Sequence, residues 1–167
     1  MVSESARHAF DEFVRARTPA LARTAYLLTG DAHLAEDLVQ TALFKAARAW
    51  HRIEGDPEPY VRRILYTQNV SWWRRRRFRE TSLASYDDAA TAAPDSDLRL
   101  DLEAALARLT ERQRTVLVLR FFEDLTEVQT AHALGIGAGT VKSTTREALA
   151  RLRAVAPHLE ELLEVGS

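Results

Sequence analysis

The chain has 167 residues and a mass of 18.8 kDa, and its 46% hydrophobic and 28% charged residues are ordinary globular usage. That length allows one ordinary domain or two small ones. The chain has no cysteine, which excludes a disulfide scaffold, a thiolate zinc site and thiol catalysis. No apolar run approaches the roughly 20 residues that span a bilayer, and the opening MVSESARHAF lacks the apolar stretch of a signal peptide. The expectation is a soluble cytoplasmic protein without membrane insertion.

A formal net charge of −1 identifies no partner class, but the distribution of charge is uneven. Residues 57–80 carry seven arginines against two acids, and residues 81–125 carry five arginines against nine acids. Lysine occurs only at Lys45 and Lys142 among 23 basic residues, a skew that fits GC-rich coding.

Helical periodicity dominates from the N-terminus. Phe10, Phe13, Val14, Leu21, Ala25 and Leu28 recur near 3.6 spacing and predict a helix over 7–28. Pro19 is expected to kink or interrupt it. Thr29-Gly30-Asp31 is a stop-and-restart signal. Residues 33–50 form a second amphipathic helix, with Leu34, Leu38, Ala42, Leu43, Ala46 and Trp50 on one face. The stretch His51–Pro59 reads as a loop, and 59–79 as a third helix with Pro59 in its first turn.

Thr81–Asp97 has no apolar period and reads as a flexible acidic linker. Helices resume near Leu98, where Leu102, Ala105, Leu106 and Leu109 complete an apolar face. Thr110 followed by Gln113 is a capping-box pattern, and it opens a helix carrying Val116, Leu117, Leu119, Phe121 and Phe122. Thr126 and Gln129 repeat the pattern for a short helix with Val128 and Ala131 that ends at Gly135. A longer helix runs from about 139 to 154, and Pro157 ends it before a short tail. The fold class is therefore all-α. It comprises a domain over 1–80, a linker over 81–97, a second domain over 98–156 and a tail over 157–167.

Residues 126–153 have helix-turn-helix spacing. Ala131 is small enough for close helix approach, Gly135 supplies a positive φ, and Ile136 and Val141 plug the core. On the second helix Val141, Thr145, Ala148, Leu149 and Leu152 are expected inside. Lys142, Ser143, Arg146, Glu147 and Ala150 are expected outside. Arginine and lysine suit guanine edges and glutamate suits a cytosine amine. Gly139 and Thr140 at the helix start offer backbone amides to a phosphate. A plain helical hairpin with a solvated charged face is the simpler alternative.

On the third helix Val61, Ile64, Leu65 and Trp72 form the expected buried stripe, and Arg62, Tyr66, Asn69 and Trp73 another face, followed by Arg74, Arg75, Arg76 and Arg77. Aromatics beside arginines suit unpaired bases: rings stack while guanidinium groups hold phosphates. Core tryptophans and a solvated arginine end that favours the helix dipole are the alternative, with Trp73 undecided between the two. The polar face of the second helix carries Asp37, Gln40, Thr41, Phe44, Lys45 and Arg48. Phe44, apolar on a solvent side, suggests a protein-binding surface. No histidine among His8, His33, His51, His132 and His158 has metal-site spacing, and no phosphate loop is present, which argues against an enzyme.

Three segments carry a resemblance: AEDLVQTALFKAARAW, then PEPYVRRILYTQNVSWWRRRR, then LTERQRTVLVLRFFEDLTEVQTAHALGIGAGTVKS. In this order they resemble a bacterial RNA polymerase sigma factor of the extracytoplasmic-function (ECF, group 4, sigma-70) type, over about residues 8–155. The resemblance implies a region 2 helical bundle and a region 4 helix-turn-helix. Asp37, Leu38, Gln40, Thr41 and Phe44, with Lys45 and Arg48, would bind the β′ clamp helices of core polymerase. The loop His51–Pro59 and the helix bearing Arg62, Arg63, Tyr66, Asn69, Trp73 and Arg74–Arg77 would recognise and melt the minus-ten element. A flipped base would sit against the loop. Linker acids Asp87, Asp88, Asp95 and Asp97 would mimic nucleic-acid charge. The second domain would dock on the β flap. Its Gly139, Thr140, Lys142, Ser143, Arg146 and Glu147 would meet the minus-thirty-five element.

The resemblance implies no cofactor and no catalytic or metal residue. Family members are commonly held by an anti-sigma factor, but no residue here names one. The chain departs from the family pattern at Tyr60, Thr67, Ser71, Thr144-Thr145 and Glu147, differences that bear on the promoter sequence rather than the class. The competing reading is a stand-alone helix-turn-helix regulator, which would need no melting surface.

Overall fold

The computed structural model describes residues 3–80 and 97–159, of which 77–80 and 97–98 by backbone only. The described residues include no strand. The chain divides into two compact units, Met1–Ser82 and Leu83–Ser167. The expectations for linker residues 81–96 and for the tail beyond Leu159 lie outside the described residues. Asp97, read as the last linker residue, is the first residue of a helix.

The N-terminal unit packs α1 (Glu4–Thr29), α2 (Ala32–Ala49) and α3 (Glu58–Glu80), with a 3₁₀ turn at Trp50–Arg52. Each boundary has a local cause. Ser3 caps α1 by accepting from the Ala6 amide. Gly30 closes it at φ 67°, donating its N–H to the Tyr26 carbonyl at 2.7 Å. Asp31 then caps α2 through the Leu34 amide at 2.9 Å. Pro19 lies inside α1 and does not interrupt it. Both Pro19 and Arg15 are exposed, so the carbonyl that proline leaves without an intrahelical partner can face water.

The core of this unit is lined by Leu21, Ala25 and Leu28 of α1, Leu38, Ala42 and Ala46 of α2, and Val61 and Leu65 of α3. The buried alanines allow close helix approach and leave the leucines to fill the space between.

The C-terminal unit contains α4 (Asp97–Ala107), α5 (Glu111–Leu117), α6 (Glu127–Leu134) and α7 (Ala138–Val155), then a 3₁₀ turn at Pro157–Leu159. Both capping boxes form, with Thr110 and Gln113 opening α5 and Thr126 and Gln129 opening α6. Gly135 ends α6 at φ 66°. Val116, Leu117, Val118 and Leu119 are buried with Val141, Ala148 and Leu152 of α7, and Leu159 closes the far end.

One feature of this unit escapes periodicity. After α5 the backbone widens into a π turn over Val118–Phe122, in which the Glu123 amide donates to the Val118 carbonyl at 2.9 Å. Asp124 follows at φ 55°. The extra residue in the turn shifts the register, so Phe121 is half-buried and Phe122 exposed rather than both entering the core. Val128 is exposed as well, on the opening turn of α6. On α7, Thr144 is buried and Thr145 only half-buried, the reverse of the expected order. Positions 141, 144, 148 and 152 follow the 3–4–4 spacing of a single stripe.

Candidate nucleic-acid and protein interfaces

On α2 the bundle leaves Asp37, Gln40, Phe44, Lys45 and Arg48 exposed and Thr41 half-buried. Phe44 is 64% exposed, with the Arg48 guanidinium carbon 6.0 Å from its ring centroid. Leu38 belongs to the core instead, at 0% exposure, so in this fold it supports the face rather than presenting it. Lys45 is tied inward as well. Its Nζ donates to Oε1 of the buried Gln68 on α3 at 2.7 Å.

On α3 the expected exposed face is mostly inside. Tyr66, Asn69 and Trp73 are buried, while Trp72, the expected core tryptophan, and Ile64 are half-buried. The physical reason is that both α1 and α2 pack on α3, so the buried arc is wider than one stripe. Arg62 is half-buried in a network. Its Nε and Nη2 donate to Oε1 of Glu58 at 3.0 and 2.9 Å, and its Nη1 to Thr24 Oγ1 of α1 at 3.0 Å. The other Glu58 oxygen lies 3.1 Å from Nε of Arg17.

What α3 does expose is a stripe of Tyr60, Arg63, Thr67 and Arg74, with Arg75 beside it and Arg76 half-buried. The first four share a narrow arc by helical spacing. Tyr60 and Thr67 were not among the expected contacts, yet their spacing from Arg63 was readable. Arg74 sits 5.8 Å from the Trp73 ring centroid, and Arg75 donates to Ser71 Oγ at 3.0 Å. The Arg77 side chain lies outside the described residues. Between α2 and α3 the loop exposes His51, Arg52, Glu54, Gly55 and Asp56. Gly55 turns at φ 75°, and Asp56 Oδ1 accepts from the Glu58 amide at 3.0 Å.

In the C-terminal unit α6, the Gly135 turn and α7 form a helix-turn-helix. Gly139, Lys142, Ser143, Arg146 and Glu147 are exposed on α7 and Thr140 is half-buried. A Cβ at Gly139 would meet nothing within 4 Å, so packing does not demand glycine there. The N-cap of α7 is Gly137, which supplies no side-chain bond to the first amides.

The description Sigma-70 region 2 matches residues 13–79, and Sigma-70 region 4 matches residues 105–154. The RNA polymerase sigma-E factor of Streptomyces coelicolor is 41% identical over 151 residues, covering 86% of this chain and 84% of the relative. The chain belongs to the sigma-70 family of RNA polymerase sigma factors, among the ECF type.

The ECF RNA polymerase sigma factor SigL of Mycobacterium tuberculosis is 38% identical over 146 residues, with 78% and 79% of the two chains covered. The sigma factor RpoE from Bartonella quintana, solved with the anti-sigma factor NepR, superposes with a TM-score of 0.71 at 27% identity, covering 88% of this chain and 96% of that one. A sigma factor directs RNA polymerase to promoters, and this chain carries the two regions for that task. The stand-alone regulator gives way to this reading. In sigma terms α1–α3 form region 2, and α5, α6 and α7 hold the core of region 4. No helix among the described residues is long and apolar enough to cross a membrane.

Proposed function

We propose that this sigma factor divides its work between its two units as a non-enzymatic initiation factor of the cytoplasm. The exposed α2 face of Asp37, Gln40, Thr41, Phe44 and Arg48 binds the β′ clamp helices, with Leu38 and Lys45 holding that face in place. The α3 stripe of Tyr60, Arg63, Thr67, Arg74 and Arg75, with the His51–Pro59 loop, engages the minus-ten element. Arg62, Tyr66, Asn69 and Trp73 support that stripe from within. Region 4 docks on the β flap. Gly139, Thr140, Lys142, Ser143, Arg146 and Glu147 present α7 to the major groove of the minus-thirty-five element.

The observation that carries this reading is the pairing, in one chain, of an exposed aromatic–arginine stripe with a helix-turn-helix. A melted strand needs stacking faces and cations, and duplex DNA needs a helix in the groove. Because the Bartonella relative was solved with an anti-sigma factor, we also assign this chain a protein antagonist of that class.

Run-off transcription with sigma-free bacterial core polymerase tests the division of labour, on fragments upstream of the protein's own gene. A discrete start, lost on block substitution of either the minus-ten or the minus-thirty-five window, is expected. A start insensitive to both windows would overturn the reading.

A further inference from the structure

Both ends of the His51–Pro59 loop are held by one stripe of α1. At the entry, Trp50 meets Phe10 edge-on at 5.1 Å and 78°, and Phe13 at 5.5 Å and 51°. At the exit, Glu58 in the first turn of α3 pairs with Arg17 at 3.1 Å, while Arg62 links Glu58 to Thr24 of α1. Phe10, Phe13, Arg17 and Thr24 are separated by three, four and seven residues, the spacing of a single helical face. Only residues 53–57 lie between the 3₁₀ turn and α3. Within them the Ile53 amide bonds back to Trp50 and Asp56 bonds forward to the Glu58 amide, leaving Gly55 at the bend. A short loop pinned at both ends has little conformational freedom to lose when it binds.

We infer that α1 is the positioning element of the minus-ten loop, with Arg17 a positioning residue that fixes the exit of that loop through Glu58. The inference rests on the reading that this loop meets the minus-ten bases. Arg17 separates positioning from folding. Its side chain is 52% exposed, so its loss costs the bundle little, and Glu58 keeps its bond to Arg62. An ion pair whose cation is half-exposed contributes little, and it cannot contribute more to a preorganised loop than to the fold, which bounds the effect at about three- to fivefold.

The test uses holoenzyme assembled from the full chain and sigma-free core polymerase. The probe is fork-junction DNA whose unpaired non-template strand is randomised across the minus-ten window. Retained DNA is sequenced for the wild type, Arg17→Ala and Arg17→Lys. Arg17→Ala should lose about three- to fivefold of its preference at one or two positions of the window, with core affinity unchanged and the thermal midpoint lowered by no more than the few degrees that one partly exposed ion pair contributes. Arg17→Lys, which can keep the ion pair, should restore the preference. A wild-type profile in Arg17→Ala overturns the inference. So does a loss spread evenly over the window, or any loss accompanied by weaker core binding. If the wild type itself shows no base preference, the minus-ten reading fails and the inference falls with it.

Discussion

Lys45 on α2 donates its Nζ to Oε1 of Gln68 on α3 at 2.7 Å, so a residue read as a surface contact is also a link between two helices. Gln68 is buried, so losing the bond takes a donor away from an acceptor oxygen on a buried side chain. Lys45→Met keeps the aliphatic stem and removes the donor. The expected cost is about 1 kcal/mol, or about 4–8 °C in the thermal midpoint of a unit this small. Calorimetry of the full chain checks it, and an unmoved midpoint would show that the bond contributes nothing.

Leu38 and Phe44 lie six residues apart on the same helix and should respond oppositely to truncation. Leu38 is 0% exposed and Phe44 is 64% exposed. Leu38→Ala should lower stability by about 2–5 kcal/mol in urea titrations. Phe44→Ala should change stability by less than about 0.5 kcal/mol and weaken co-elution with core polymerase by about 30-fold or more, as loss of an interface anchor does. Normal core binding by Phe44→Ala would remove Phe44 from the interface.

Thr130 of α6 is fully buried, and its hydroxyl has no hydrogen-bond partner among the described residues. Valine has nearly the same shape without the polar atom. Thr130→Val should therefore stabilise region 4 by about 1 kcal/mol. A lower urea midpoint in the variant would mean that the hydroxyl is satisfied in solution.

Arg74 and Arg75 lie exposed at the end of the α3 stripe. Replacing both with glutamate reverses charge where a single strand would run. Promoter opening, followed by permanganate reactivity of unpaired thymines, should fall more than about tenfold, with core binding within about twofold. Unchanged reactivity in a folded variant would detach these arginines from melting.

Lys142 and Arg146 are exposed on the second and third turns of α7. Alanine at either position should cost about 1–3 kcal/mol at one base pair if the contact is to a base edge. A phosphate contact would instead weaken all promoter variants alike and reduce the salt slope by about one. Transcription across a set of minus-thirty-five substitutions at two salt concentrations distinguishes the two.

What could be read without coordinates was local. The caps at Asp31, Thr110 and Thr126 and the turn at Gly135 depend on bonds between residues three or four apart, so residue identity and spacing are sufficient. The helix-turn-helix followed from those signals, and the exposure of Phe44, Lys142 and Arg146 followed from amphipathic spacing. The ordered motifs also carried the sigma family itself, because each motif is a run of neighbours in the chain.

Tertiary packing decided the rest. Tyr66, Asn69 and Trp73 fit an exposed stripe by period, but α3 is packed by two helices, and a period cannot count the neighbours of a helix. Arg62 fell on the expected exposed face; Glu58 is one turn away on the same helix, but only the fold brings Thr24 of α1 to it. Trp50 meets Phe10 and Phe13 from some forty residues away, and the π turn at Val118–Phe122 follows no side-chain rule visible in the segment. Amphipathic spacing specifies which residues share a face. Whether that face meets water, one helix or two depends on groups distant in the chain, and only the folded bundle brings them together.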